Sequence, residues 1–236
     1  MGSRFESVLV ISDTHAPYHH VDAIEFLNAV RKKYRPDKIV HIGDEVDFHA
    51  LSFHDSDPDL DSVGTELIRA RVFIGALASL FPHVDLVESN HGSLVFRKAK
   101  AHGLSVHMIK TYNEILGVGP GWKWHQDLTL DLSDGKSVYF HHGKSGDALK
   151  TSLNMSMSAV QGHYHGKFGV QYWGNPRGLY WGMQVGCLID DRALAFAYNK
   201  ADLPRPIIGT GMIINGQPKL IALVKKANGR WDRRVH

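Results

Sequence analysis

The sequence predicts an α/β fold in which two mixed β-sheets pack together and helices cover their outer faces. Two observations support this prediction. Short apolar runs alternate with helical patterns in the first half of the chain, whereas the second half contains strand pairs joined by tight turns. The 236 residues, 43% of them hydrophobic, are enough for one sizeable core, so we expect a single domain over residues 1–236 with a C-terminal tail from about residue 226.

The first half has the strand–helix–strand order of a parallel sheet. Strands are predicted over residues 8–11, 38–42 and 85–88, and helices over residues 23–34 and 62–80. Pro82 marks the end of the second helix, because proline cannot continue a helical ladder. Three strands would then deliver polar residues to one edge of the sheet.

The second half is predicted to be mainly β-structure. Asp134-Gly135 and Asn215-Gly216 are strong turn signals between apolar runs, which is typical of β-hairpins. The predicted strands cover residues 128–132, 137–140, 170–173, 179–185, 207–214 and 219–224, with one helix near residues 147–157.

Composition restricts the class of protein. A net charge of +3, from 27 basic and 24 acidic residues, is too balanced to indicate nucleic-acid binding by itself. The single cysteine, Cys187, excludes an internal disulfide, fits a reducing compartment and is assigned to the core. Since no apolar run reaches the roughly 18 residues of a membrane span, we expect an intracellular, cytoplasmic protein without membrane contact.

Five polar clusters follow apolar runs, and they are the main functional signal. They are Asp13-Thr14-His15, Gly43-Asp44-Glu45-Val46-Asp47, Asn90-His91, His142-Gly143 and Gly162-His163-Tyr164-His165. In open α/β sheets, functional groups gather outside the carboxyl ends of strands, so we expect these clusters to meet. Their carboxylate, amide and imidazole groups are the ligands that two adjacent divalent ions require.

Such a metal pair favours phosphoester hydrolysis. Two ions roughly 3.5–4 Å apart polarise the phosphoryl oxygens and lower the pKa of a water that they share. Asp13 with His15 and His163 with His165 have the same spacing, and Asp44 is placed to bridge the ions. With nitrogen and oxygen ligands and no thiolate, we expect two divalent ions, Mn²⁺ first, with Fe²⁺, Zn²⁺ and Ni²⁺ as alternatives.

Taken in order, the clusters resemble the calcineurin-like metallophosphoesterase superfamily over residues 13–165, and within it the DNA-repair exonuclease-like phosphodiesterase branch. The resemblance implies a four-layered α/β/β/α sandwich with a dinuclear site at the strand ends. It implies that Asp13, His15, Asp44 and His165 bind one ion, and that Asp44, Asn90, His142 and His163 bind the other. It also implies that His91 protonates the leaving-group oxygen, so that Asp44, Asn90 and His91 are the catalytic residues.

The chain departs from the family pattern beside Asn90. The glycine that usually precedes the asparagine is Ser89, and the acidic residue that usually follows the histidine is Gly92. These departures bear on the substrate class more than on metal binding. His141 and His142 offer a further choice, since alternating residues of a strand point to opposite faces, and we choose His142 because it directly precedes Gly143.

Substrate contacts are harder to predict. Asp47 and His49 follow Asp44 closely and are candidates to support the metal ligands or contact substrate, with a solvated loop as the alternative. Arg97, on a helix predicted over residues 93–102, is the best candidate to hold a phosphate. For Phe53, His54 and Asp55, on an acidic loop that runs to Asp61, a solvated loop is favoured over a lid or rim.

Aromatic and basic residues elsewhere permit nucleic-acid contacts without requiring them. Tyr112, Trp122 and Trp124 are candidates to stack bases, although packing of a loop against the core is the favoured interpretation. Residues 225–234 mix basic residues with a tryptophan, for which a frayed, solvated C-terminus is favoured over contact with a nucleic-acid backbone.

We therefore expect a metal-dependent phosphodiesterase or nuclease acting on DNA, RNA or a nucleotide. The first alternative is a phosphomonoesterase acting on a protein or a small metabolite. The second is a binding module that keeps the fold without the chemistry. Residue patterns do not indicate whether two copies of the chain associate.

Overall fold

The structure is a computed structural model that describes residues 4–53, 59–143, 146–193 and 205–236. Its strands are β1 (Ser7–Ile11), β2 (Lys38–His41), β3 (Val84–Val87), β4 (Trp122–His125), β5 (Leu128–Asp131), β6 (Ser137–His141), β7 (Ser158–Gln161), β8 (Phe168–Asn175), β9 (Gly178–Val185), β10 (Gly209–Ile214) and β11 (Gln217–Ala222). Its α-helices are α1 (Ala23–Tyr34), α2 (Val63–Leu80), α3 (Leu94–Ala101), α4 (Tyr112–Leu116) and α5 (Ala148–Met155).

Two mixed sheets form the centre of the fold, as predicted. The six-stranded sheet has the order β11-β10-β1-β2-β3-β4, and its four strands from β1 to β4 are parallel. The five-stranded sheet has the order β5-β6-β7-β9-β8, with β6, β7 and β9 parallel. The carboxyl ends of the parallel strands carry the polar clusters.

The strand β1 shows how the layers pack. Leu9 and Ile11 belong to the core beneath the helices, whereas Val8 and Val10 belong to the core between the sheets. Both faces are therefore buried, which explains the continuous apolar run. Helix α5 packs on the far side of the five-stranded sheet, against β7, β8 and β9. Together these contacts build the expected layers of helix, sheet, sheet and helix.

Two helices show which local signals the fold follows. Helix α1 has the predicted bounds. The apolar residues whose spacing predicted it, among them Phe26, Leu27 and Val30, form its buried face. Helix α2 begins after Ser62, whose hydroxyl accepts a hydrogen bond from the Thr65 N–H at 3.3 Å. Within the described segments, no helix has the length and apolar character needed to cross a membrane.

One strand was not predicted, and one prediction about the fold was wrong. Strand β4 is the addition, and it pairs in parallel with β3, with Trp122 opposite Val84. The C-terminal segment is not frayed, because Trp231 is 5% exposed and packs edge-on against Phe26, 5.5 Å between ring centroids. Its Arg230 forms an ion pair with the buried Asp22.

Candidate metal centre

The polar clusters of both sheets meet at one edge of the molecule. Asp13 and His15 follow β1, Asp44 follows β2, and His91 follows β3. From the other sheet, His142 follows β6, and His163 and His165 follow β7. Each residue thus lies just past the end of a strand, and all except His91, His163 and His165 are almost fully buried.

The first group of potential ligands contains Asp13, His15 and His165. One side-chain nitrogen or oxygen from each of these residues lies within 4.8 Å of the others. His165 Nε2 is 3.2 Å from Asp13 Oδ1, and His15 Nε2 is 3.8 Å from the same oxygen. Three of the four residues predicted for the first ion are therefore together.

The second group contains Asp44, His142 and His163, again within 4.8 Å. His142 Nε2 is 3.0 Å from Asp44 Oδ2 and 3.1 Å from His163 Nδ1. The two groups adjoin each other, because His15 Nε2 lies 3.5 Å from the same Asp44 oxygen. Asp44 therefore stands between the groups, in the position that a bridging carboxylate requires.

Hydrogen bonds orient two of the histidines for metal binding. His15 Nδ1 lies 2.5 Å from the Asp47 carboxylate, and His142 Nδ1 lies 2.9 Å from the Ile42 carbonyl oxygen. A carbonyl oxygen and an ionised carboxylate can only accept hydrogen bonds, so each Nδ1 carries the proton. Each Nε2 then faces the carboxylates, and once it has lost its own proton it can offer a lone pair to a metal ion, as metal-binding histidines do. The donor set and its orientation fit a pair of divalent ions.

The charges of the site fit the same interpretation. Although burial alone would raise it, hydrogen bonds from His15 and His165 hold the pKa of Asp13 well below its ordinary range. The pKa of Asp44 is likewise lowered against the effect of burial, chiefly by His142 and His91. Burial would lower the pKa of His142, but Asp44 raises it to about 9. The carboxylates are therefore ionised and available, and the imidazoles release protons when a metal binds.

The backbone is strained at the ligand positions. Asp13, His15, Asp44 and His163 have φ values of 49°, 43°, 51° and 65°. This left-handed region is uncommon for residues other than glycine, and each such residue costs about 1–3 kcal/mol unless its surroundings hold it. Strain of this kind concentrates at functional sites, and here it lies where the chain leaves β1, β2 and β7.

Glycines allow the close approach of these loops. A Cβ atom on Gly162 would overlap Ser12 Oγ and lie 2.6 Å from Asp13 Oδ2. One on Gly43, where φ is +98°, would overlap Ser89 and lie 3.0 Å from His142 Nδ1. The glycines of the G-D and G-H clusters are thus required by packing around the ligands.

Asn90 is the predicted ligand whose side chain has no hydrogen bond to the cluster within the described residues. It is exposed, and its backbone carbonyl oxygen accepts from Ser93 Oγ at 3.3 Å and Arg97 at 3.4 Å. The buried neighbour is Ser89, whose Oγ accepts from the Asp44 N–H at 2.8 Å and from the Gly92 N–H at 3.1 Å. The ligand role of Asn90 stays a prediction, and Ser89 has a role that sequence reasoning did not find.

His91 lies against both groups of ligands. Its backbone N–H donates to Asp44 Oδ1 at 3.0 Å, and its ring lies edge-on to His15, 4.7 Å between centroids. Nδ1 donates to the Asp47 carbonyl oxygen, which leaves Nε2 available for proton transfer. The ring is about a quarter exposed, at 27%, so a substrate can reach it.

The three predicted substrate contacts, Asp47, His49 and Arg97, lie in different surroundings. Asp47 is 3% exposed and holds His15, so it supports the cluster from behind and is not a solvated loop residue. His49 begins a short 3₁₀ turn (His49–Leu51), where its N–H donates to Glu66 Oε1 at 3.0 Å. Arg97 is exposed, with its guanidinium 5.1 Å from the Phe53 ring centroid.

Other candidates lie elsewhere. His54 and Asp55 fall outside the described residues. His141 lies on the other face of β6, stacked on Tyr139 at 5.4 Å, so His142 is the member of the pair that reaches Asp44. Trp122 is 2% exposed and donates to the Phe81 carbonyl oxygen, which makes it a core residue that cannot stack a base.

Sequence reasoning also missed the role of Glu45. This side chain is 1% exposed and accepts a hydrogen bond from the Tyr112 hydroxyl. A Cβ atom on Gly92 would lie 3.0 Å from Glu45 Oε1 and 3.2 Å from the Tyr112 oxygen. The Glu45 carboxyl therefore lies beside the position at which the family pattern has an acidic residue. Burial raises the pKa of Glu45 to about 7.

Comparisons with known proteins agree with this fold. Among the similar solved structures are two of vacuolar protein sorting 29, which cover nearly the whole chain at low identity. That from Chaetomium thermophilum is 12% identical, covers 98% of this chain and 96% of its own, and has a TM-score of 0.51. That from Cryptosporidium parvum is 13% identical, with 99% and 96% coverage and the same TM-score. These likenesses show the fold alone.

A search of curated protein sequences gives no significant match. The sequence model of the calcineurin-like phosphoesterase family matches residues 7–173, a segment that runs from β1 into β8 and contains every residue of the two ligand groups. The chain therefore belongs to the calcineurin-like phosphoesterase family.

Proposed function

We propose that this protein is a metal-dependent phosphodiesterase that cleaves a nucleotide or nucleic-acid ester. The observation that carries the proposal is the position of His91 against both groups of ligands around Asp44. Asp13, His15, Asp44, His142, His163 and His165 would hold two divalent ions, with Mn²⁺ as the first candidate. Bound there, the ions would polarise the phosphoryl oxygens and lower the pKa of the attacking water.

The chain's own residues supply the remaining steps. Asp47 holds the His15 ring in place, and the Ile42 carbonyl does the same for His142. His91 is anchored through Nδ1, so its protonated ring donates from Nε2 to the departing oxygen. A nucleoside alkoxide is a poor leaving group, and this proton makes its departure possible. Arg97, exposed near Asn90, supplies a positive charge for a phosphate at the rim.

The first experiment compares esters with the metal-stripped protein resupplied with Mn²⁺. Bis-p-nitrophenyl phosphate should be hydrolysed in preference to p-nitrophenyl phosphate. A preference for the monoester would contradict the proposal and indicate a phosphatase. Absence of turnover with Mn²⁺, Fe²⁺, Zn²⁺ and Ni²⁺ would indicate a binding module.

The role of His91 predicts a specific pattern in the His91→Ala variant. Cleavage of a dinucleotide, whose leaving group needs a proton, should fall about 10²–10⁴-fold. Cleavage of thymidine 5′-(p-nitrophenyl phosphate) should fall much less, because p-nitrophenolate leaves without protonation. His107→Ala is the matched control, since His107 is exposed on a short 3₁₀ turn (Val106–Met108). Equal losses for both esters would rule out the acid role.

A further inference from the structure

A pocket of about 340 Å³ opens beside the candidate metal centre. Its lining includes Glu45, Gly92, Phe96, Tyr112, Trp124 and Gln126. Glu45 directly follows Asp44, and Ser89, which also lines the pocket, accepts a hydrogen bond from the Asp44 N–H at 2.8 Å. A group in the pocket and a phosphate at the ligand cluster would therefore be neighbours.

The pocket wall is largely aromatic. The Tyr112 ring lies edge-on to Trp124 at 4.8 Å between centroids and edge-on to Phe96 at 6.0 Å. Tyr112 thus contacts both other rings, and the three together form an apolar surface that suits a flat, weakly polar ligand group. The volume is at the low end of the roughly 300–1,000 Å³ found for ligand pockets, so the pocket suits one ring system and not a whole oligonucleotide.

A buried carboxyl group borders the pocket. Glu45 Oε1 accepts from the Tyr112 hydroxyl, but Glu45 Oε2 has no hydrogen-bond partner among the described residues and is buried. Gly92 also lines the pocket, and a Cβ atom there would lie 3.0 Å from both Glu45 Oε1 and Ser89 Oγ, so the wall has little room for a larger residue at this position.

We propose that this pocket is a base subsite, which holds the nucleobase of an ester whose phosphate lies at the metal centre. The inference rests on the proposed function and names its substrate class. A nucleobase has flat faces for the aromatic wall and N–H groups on its edge that suit the Glu45 carboxyl at the pocket wall. Gln126, which is exposed at the pocket, offers an amide to the other polar atoms of the edge.

The test compares two esters that share one leaving group. Thymidine 5′-(p-nitrophenyl phosphate) carries a base, whereas methyl p-nitrophenyl phosphate does not. In the wild-type protein with Mn²⁺, kcat/KM should be at least about tenfold higher for the thymidine ester, because stacking of one base contributes that much. Gln126→Phe, which fills the pocket from its exposed rim, should bring this ratio close to one.

Lys123→Phe is the matched control. Lys123 is exposed on β4, three residues from Gln126 and absent from the pocket lining, so this variant should keep the wild-type ratio. A wild-type ratio near one, or an unchanged ratio in Gln126→Phe, would overturn the base subsite while the proposed hydrolase function stands. Hydrolysis of neither ester would instead contradict the proposed function.

If neither ester is hydrolysed, binding of a nucleotide tests the base subsite. Trp124 lines the pocket, so thymidine 5′-monophosphate should quench tryptophan fluorescence with saturation. Gln126→Phe should weaken this binding at least about tenfold, and Lys123→Phe should not. Absence of saturable quenching in the wild-type protein, or equal binding by both variants, would overturn the base subsite.

Discussion

At the scale of single residues, His19 shows how burial makes stability depend on pH. Its ring stacks on Phe73 with 3.7 Å between centroids. Burial, aided by the charges of His20 and Arg69, lowers the pKa of His19 from 6.5 to about 4. Because the unfolded chain binds this proton more readily, the stabilisation is complete above pH 6.5 and is lost as the pH falls towards 4.

His19→Phe tests this effect, because phenylalanine keeps the stacked ring without the titration. Between pH 7.5 and pH 5, the free energy of unfolding should fall by about 2 kcal/mol more in the wild-type protein than in the variant. Urea unfolding at both pH values measures the difference. Parallel losses in the two proteins would show that the folded-state pKa of His19 is near its ordinary value.

At Gly162, the addition of a single methyl group should change the stability of the fold. Gly162→Ala places a methyl group against Ser12 and Asp13, so we expect the free energy of unfolding to fall by about 1–3 kcal/mol. Gly75→Ala is the control, because Gly75 lies in α2 with open space around its Cβ position. That substitution should increase stability by about 0.5–1 kcal/mol. Equal effects in chemical denaturation would contradict the close packing at Gly162.

At the scale of elements, the C-terminal segment is a structural part of the fold. Trp231→Ala removes a buried ring that packs on Phe26 of α1, and should lower the free energy of unfolding by about 3 kcal/mol. Arg234→Ala changes an exposed side chain of the same segment and serves as the control. Thermal unfolding of both variants checks this expectation, and equal melting temperatures would mean that the segment adds no stability.

Sequence reasoning succeeded where signals were local. Helix α1 has one apolar face, and each ligand of the two groups lies in a short motif after a strand, so both could be read from neighbouring residues. Strand β4 was not predicted, because its parallel pairing with β3 depends on the intervening helices. Glu45 was missed because its partner Tyr112 is 67 residues away, and no local pattern joins them.

At the scale of the whole molecule, the candidate metal centre joins the two sheets. Asp13 and Asp44 come from the six-stranded sheet, whereas His142, His163 and His165 come from the five-stranded sheet. An ion bound between them would link both halves of the fold. Any ligand that binds only the folded state stabilises it, by about 2.7 kcal/mol at 100 times its Kd.

Mn²⁺ should therefore raise the melting temperature of the metal-stripped protein by roughly 5–10 °C under those conditions. Asp44→Asn removes the charge between the two ligand groups and should abolish most of this shift. Asp131→Asn, at an exposed carboxylate of β5, should keep it. Differential scanning calorimetry measures all three proteins, and a full shift in Asp44→Asn would exclude this residue as a shared ligand.

The glycine contacts of the centre also bear on how such a protein can diversify. Gly43 and Gly162 leave no room for a methyl group beside the ligands, so nearly every substitution at these two positions would disturb the fold around the metal centre. Ser93 and Gln126, at the edge of the neighbouring pocket, keep part of their surface exposed. New substrate preferences would thus arise at the rim, and a library for directed evolution should randomise those positions while it leaves the glycines intact.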